Sequence, residues 1–182
     1  MEMSEDFLLR VAEGLLLEVM ENTNDALAEA EQLKNRSNDK SSGFWERAKA
    51  ISAAQGLINE LTTNLRVAYN LCVKVSERNP SAKLENGKTA KQIQSAVCFQ
   101  FGLINTLQRR FAQAVEYYEE SLALVPDQST YFYLGLCLTQ FKGFFSNKTA
   151  DAIVAFQKCI EIDPTTDFAV KAGMELARLG KL

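Results

Sequence analysis

Only three prolines, Pro80, Pro126 and Pro164, interrupt the 182 residues, and the stretches 3–34 and 43–78 contain none. Proline inside a helix removes a hydrogen bond and clashes with the preceding turn, so each stretch is free to run as one helix of about nine turns. The apolar spacing supports this. In the first stretch Leu8, Ala12, Leu15, Val19, Thr23, Ala26, Ala30 and Leu33 recur at steps of three and four, with Leu16, Met20 and Leu27 widening the face. In the second, Phe44, Ile51, Ile58, Leu65 and Cys72 recur every seven residues, and Ala54, Leu61, Ala68 and Val75 fill the complementary slot. Arg47 is the main interruption of that seam.

The polar run 35–43 between the stretches is rich in turn formers and makes them a helical hairpin about 45 to 50 Å long. Charge favours the pairing. Residues 1–42 hold four basic and ten acidic side chains, whereas residues 43–90 hold seven basic and four acidic. Two helices alone bury only one face each, so the hairpin needs either the rest of the chain or a second copy. Residues 79–88, with Pro80, Asn86 and Gly87 and no apolar rhythm, are expected to link it to a second unit.

With 47% hydrophobic and 24% charged residues the chain is globular. A net charge of −3 gives no electrostatic reason to expect nucleic acid or an anionic membrane as partner. There is no histidine, which removes Ser-His-Asp and Cys-His catalysis and His-ligated zinc. The cysteines, Cys72, Cys98, Cys137 and Cys159, form no Cys-x-x-Cys pair and each lies in an apolar pattern, so they read as small buried residues in a reducing cytoplasm. No apolar stretch is long and uncharged enough for membrane insertion, and the acidic start does not read as a secretory signal. No phosphate-binding loop, nucleophile elbow or metal spacing is present, and the expectation is no enzyme, no cofactor and no metal.

From residue 95 the slots repeat. Cys98, Phe101, Gly102 and Asn105 are followed by Ala114, Tyr118 and Pro126; Tyr131, Leu134, Gly135 and Leu138 are followed by Ala152, Phe156 and Pro164; Ala169, Ala172, Gly173 and Leu176 begin a third copy. This pattern resembles the tetratricopeptide repeat, a helical hairpin with the form W-x2-L-G-x2-Y, A-x3-F, P. Cys98 and Asn105 depart from it at slots that prefer bulky apolar groups. Gly102 and Gly135 lie 33 residues apart but Gly135 and Gly173 lie 38 apart, which places an insertion of about five residues in the 141–149 turn.

The resemblance implies an all-α fold, in which a long N-terminal antiparallel hairpin (1–78) and the 79–88 linker precede a short right-handed superhelix over 89–182. Its repeats would span 95–127 and 128–165, with a capping helix at 166–180. Two copies and a cap are fewer than the usual three, so the hairpin is expected to supply stacking surface. The resemblance also implies a non-catalytic adaptor that binds a peptide or helix of another protein in a concave groove. Carried onto this sequence, the groove would be lined by Phe99, Leu103, Thr106, Phe132, Leu136, Thr139, Val170 and Met174. Phe, Leu and Val stand where capture of a C-terminal carboxylate would need Lys, Arg and Asn, so the expected ligand is apolar. Phe141, Phe144 and Phe145 in the inserted turn are a candidate aromatic anchor. The alternative is a structural homodimer assembled through the heptad-patterned hairpin, with the groove covered by its own chain.

Overall fold

The structure is a computed structural model that describes the backbone of residues 3–37, 44–140 and 148–180, and the side chains of all these except 24–37, 44–51, 53 and 54. Among the described residues it is all-α, with seven helices: α1 Glu5–Ser37, α2 Phe44–Arg78, α3 Ala90–Leu107, α4 Phe111–Leu124, α5 Gln128–Thr139, α6 Thr149–Ile162 and α7 Asp167–Arg178. Two compact units emerge, Met1–Ile93 and Gln94–Leu182, and the division falls inside α3.

In the N-terminal unit α1 packs along α2. Ser4 starts α1: its side-chain oxygen accepts from the Phe7 amide at 3.3 Å, and Glu5 and Asp6 place negative charge in the first turn, where the helix dipole favours it. Leu8, Ala12, Leu16, Val19 and Thr23 of α1 are buried with Leu61, Leu65, Ala68, Cys72 and Val75 of α2. The heptad seam is thus the buried face of the hairpin wherever its side chains are described, except at Ile58, which is half-buried. Leu9, which the spacing does not single out, is fully buried, and Met20 is exposed. The seam positions Phe44, Ile51 and Ala54, the break at Arg47 and the α1 positions from Ala26 to Leu33 lie outside the described side chains.

Residues 79–89 are fastened to the start of α1 in this unit. Asn79 donates to Glu5 at 3.1 Å, Arg10 pairs with Glu85 at 2.7 Å, and Glu13 accepts from Asn86 at 3.1 Å and from Lys88 at 2.6 Å. Leu84 is buried beneath this polar rim, and Gly87, at φ 81, closes the turn by donating to the Leu84 carbonyl at 2.8 Å. A capping box then opens α3: the Gln92 amide donates to the Thr89 hydroxyl oxygen, and the Thr89 amide donates to Gln92 Oε1 at 2.9 Å.

In the C-terminal unit α4 packs on α5, α5 on α6 and α6 on α7. Pro126 follows α4 and Pro164 follows α6, where neither helix can continue. Asp127 caps α5 by accepting from the Thr130 amide at 2.9 Å, and Thr166 caps α7 by accepting from the Ala169 amide at 3.2 Å. Three residues, 108–110, separate α3 from α4, whereas nine, 140–148, separate α5 from α6.

Candidate functional site

Each helical hairpin of the C-terminal unit is closed by the same two devices. The first is a ring over a glycine. A Cβ on Gly135 would lie 2.6 Å from the Phe156 ring, and one on Gly102 would overlap the Tyr118 ring even more closely. Glycine at these positions lets the second helix approach until its aromatic side chain covers the first helix's backbone.

The second device is a polar clasp one turn beyond. Ser95 Oγ donates to the Ser121 carbonyl at 3.0 Å while Ser121 Oγ donates to the Ser95 carbonyl at 2.8 Å, and both residues are buried. In the second hairpin Gln128, 33 residues after Ser95, donates through Nε2 to the carbonyls of Cys159 and Asp163, both at 2.7 Å. Its Oε1 accepts from the Thr166 hydroxyl at 2.8 Å. These bonds satisfy carbonyl groups near the end of α6 that the helix itself leaves unpaired. The clasp is not visible in the sequence pattern because a serine and a glutamine perform it.

Between the hairpins runs a chain of aromatic contacts. Tyr133 lies at its centre, with ring centroids 5.7 Å from Phe99, 6.3 Å from Tyr118, 5.6 Å from Phe132 and 6.4 Å from Phe168. Phe132 also meets Phe156 at 6.1 Å and Phe168 at 5.6 Å. The slot reading named neither Tyr133 nor Phe168. The available signal was the clustering of aromatics at Tyr131, Phe132 and Tyr133, which a three-residue run places around the whole helix.

The eight residues expected to line a groove have different surroundings. Phe99, Leu103, Thr106, Leu136 and Thr139 are half-buried; Phe132 is only 8% exposed, inside the aromatic core; Val170 and Met174, on α7, are 53% and 66% exposed. Thr106 is already engaged: its Oγ1 donates to the Gly102 carbonyl at 2.8 Å and lies 3.1 Å from the Tyr118 hydroxyl and 3.2 Å from Cys137 Sγ. Thr139 Oγ1 donates to the Leu136 carbonyl at 2.7 Å. Phe141, Phe144 and Phe145 lie outside the described residues.

Burial holds three cysteines and one tyrosine in their neutral forms. Burial pushes the Cys72 thiol up to about 12 and the Cys159 thiol up to about 11, the latter with help from the Asp127 carboxylate. Burial likewise raises Cys137 and the Tyr118 hydroxyl, each against the opposing hydrogen bond from Thr106. Among the described residues no group of three or more Cys, Asp and Glu side chains could hold a metal ion. No described helix is long and apolar enough to cross a membrane.

Residues 95–128 match the family model of the tetratricopeptide repeat. No curated protein and no solved structure gives a significant match to the chain. The chain therefore contains a tetratricopeptide repeat in its C-terminal half, a motif that supports protein–protein interaction in general and generally forms non-catalytic scaffolds.

Proposed function

We propose that this chain is a non-catalytic adaptor whose C-terminal unit holds an apolar peptide or helix of a partner protein against the first helices of its repeats. The observation that carries the reading is the apolar surface left on α3, α5 and α7: Leu103 and Leu136 half-buried, with Val170 and Met174 mostly exposed. Apolar side chains of this kind gain about 25 cal/mol for each Å² a partner covers. Phe99 and Phe132 then form the floor, and Thr106, already bonded, shapes it. In this reading residues 1–78 form a hairpin unit, 79–88 its connection and 89–182 the binding unit, and a reducing cytoplasm suits the four cysteines.

The test compares the full chain with its Leu103→Glu, Met174→Glu double variant in affinity capture from native lysate, after melting curves establish that both fold. Both positions retain solvent access, so the charges are expected to spare the fold. A partner lost only with the variant supports the groove. One retained equally by both removes it.

Self-association through the N-terminal hairpin is the alternative. Its support is the exposed apolar side chains Phe7 and Leu17 of α1, with Met3 just ahead of that helix, since the described seam residues other than Ile58 are already buried. It requires a sedimenting mass of twice 20.3 kDa, reduced to 20.3 kDa by Phe7→Glu with Leu17→Glu.

A further inference from the structure

The strap formed by residues 79–89 contains Asn86-Gly87, the one place in the chain where glycine follows asparagine. With no Cβ on the next residue, nothing shields that residue's backbone nitrogen from the asparagine side-chain amide. Both residues are exposed. They lie in a tight turn: Lys83 and Thr89 form an isolated antiparallel bridge, the Leu84 amide donates to the Lys88 carbonyl at 2.9 Å, and the Gly87 amide donates to the Leu84 carbonyl at 2.8 Å.

In this arrangement every reacting atom is engaged. The Gly87 N–H is spent on Leu84, Asn86 Oδ1 accepts from the Lys88 amide at 3.1 Å, and Asn86 Nδ2 donates to Glu13 Oε1 of α1 at 3.1 Å. The attachment to α1 is shallow. Leu84 is the only buried residue between Asn79 and Thr89, and the pairs around it lie at the surface, with Arg10 55%, Glu85 86% and Lys88 51% exposed. Exposed ion pairs contribute little, and segments held by few buried contacts open first.

We propose that Asn86 is a one-way modification site controlled by docking of the strap on α1. Docked, the side-chain amide is kept. Once the strap lifts, the Gly87 nitrogen attacks Asn86 Cγ, the Cγ–Nδ2 bond breaks, and ammonia leaves with the proton given up by the Gly87 amide. Water then opens the resulting cyclic imide at one of its two carbonyls. Opening leaves aspartate at position 86 or, with the backbone routed through Cγ, isoaspartate.

Neither product redocks as asparagine does. A carboxylate at position 86 has no proton for Glu13 and sets a second negative charge against it, at an oxygen that Lys88 Nζ already occupies at 2.6 Å. Isoaspartate also adds a carbon to the backbone inside the turn that the Leu84 and Gly87 amides close. A reversible opening thereby becomes a permanent one.

The full chain is kept at neutral pH for several weeks and sampled. Trypsin releases residues 84–88 as one peptide, and chromatography with mass spectrometry separates its asparagine, aspartate and isoaspartate forms. Conversion at position 86 is expected to be slow in wild type and roughly fivefold or more faster in Glu13→Ala, following the open fraction. Arg10→Ala breaks the pair with Glu85 and is expected to accelerate conversion too, which ties the rate to docking of the strap and not to the Glu13 bond alone. Melting curves establish that each variant is folded during the incubation; if Glu13→Ala is not, Arg10→Ala decides. Equal rates in wild type and variants overturn control by docking, and no conversion in any of them overturns the site. Asn86→Asp is expected to melt below wild type, with the deficit reduced in a Glu13→Gln background. Melting equal to wild type would overturn the one-way step.

Discussion

Gly135 lies so close to the Phe156 ring that a methyl group on its α carbon would come within 2.6 Å of the ring's edge. Phe156 is fully buried and meets Phe132, so it has no room to retreat. Replacing Gly135 by alanine would gain about 1 kcal/mol in helix propensity but force an overlap costing about 1–3 kcal/mol.

The overlap is expected to win. Gly135→Ala and Gly102→Ala should each lower stability, by up to about 2 kcal/mol, while Gly173→Ala, with open space around it, should raise stability by roughly 0.5–1 kcal/mol. Urea unfolding followed by helical circular dichroism gives the three values. Equal effects at all three glycines would contradict the ring-over-glycine account.

Arg109 has φ 58, in the left-handed region that glycine tolerates best. The Arg109 amide donates to the Thr106 carbonyl at 3.0 Å and the Arg110 amide to the Asn105 carbonyl at 2.9 Å, the bond pair that closes a helix with a left-handed residue after its cap. Relieving the side-chain strain is worth about 1–2 kcal/mol, and the extra freedom of glycine in the unfolded chain returns part of it. Arg109→Gly is expected to raise the urea midpoint, by roughly 0.5–1 kcal/mol in stability; a lower midpoint would mean that the arginine side chain contributes more than its strain costs.

The Ser95–Ser121 clasp is buried on both sides. Either single change to alanine removes one hydroxyl's bonds and leaves a partner unsatisfied, at about 1–3 kcal/mol. The double variant is expected to cost clearly less than the sum of the two, because the groups are in one network. A full double-mutant cycle measured by urea unfolding checks this, and strict additivity would rule out coupling.

The Glu13 carboxyl is held below its ordinary 4.5, first by the Lys88 hydrogen bond and then by Asn86, against the opposing cost of burial. A carboxyl lowered in the folded state contributes stability that is present above pH 4.5 and is lost as the pH falls through its lowered folded value. Wild type is therefore expected to exceed Glu13→Gln in stability at pH 7, with the difference narrowing as the pH falls below 4.5 through the lowered folded value. Unfolding curves over a pH series from 7 downward measure it; a difference that does not change with pH would place the effect in packing instead.

How much of this was legible in the sequence depends on the range of the interaction. Helix extents were readable because proline placement and apolar period act within a few residues: stretches 3–34 and 43–78 became Glu5–Ser37 and Phe44–Arg78. The repeat slots were readable because Gly102, Tyr118, Gly135 and Phe156 are confined by sterics to few residue types. Tyr133 was not readable as the aromatic hub, since a tyrosine is acceptable at many helical positions and only its neighbours' arrival assigns it a role.

The sequence by itself therefore determined the helices, the repeating glycine and aromatic slots and the absence of imidazole chemistry, because each follows from local backbone sterics or composition. Only the tertiary structure decided that Phe132 is core while Val170 and Met174 face solvent, and that residues 79–89 bond back onto α1. The same packing fills the first two glycine slots and leaves the third open, because burial depends on which distant segment covers a face.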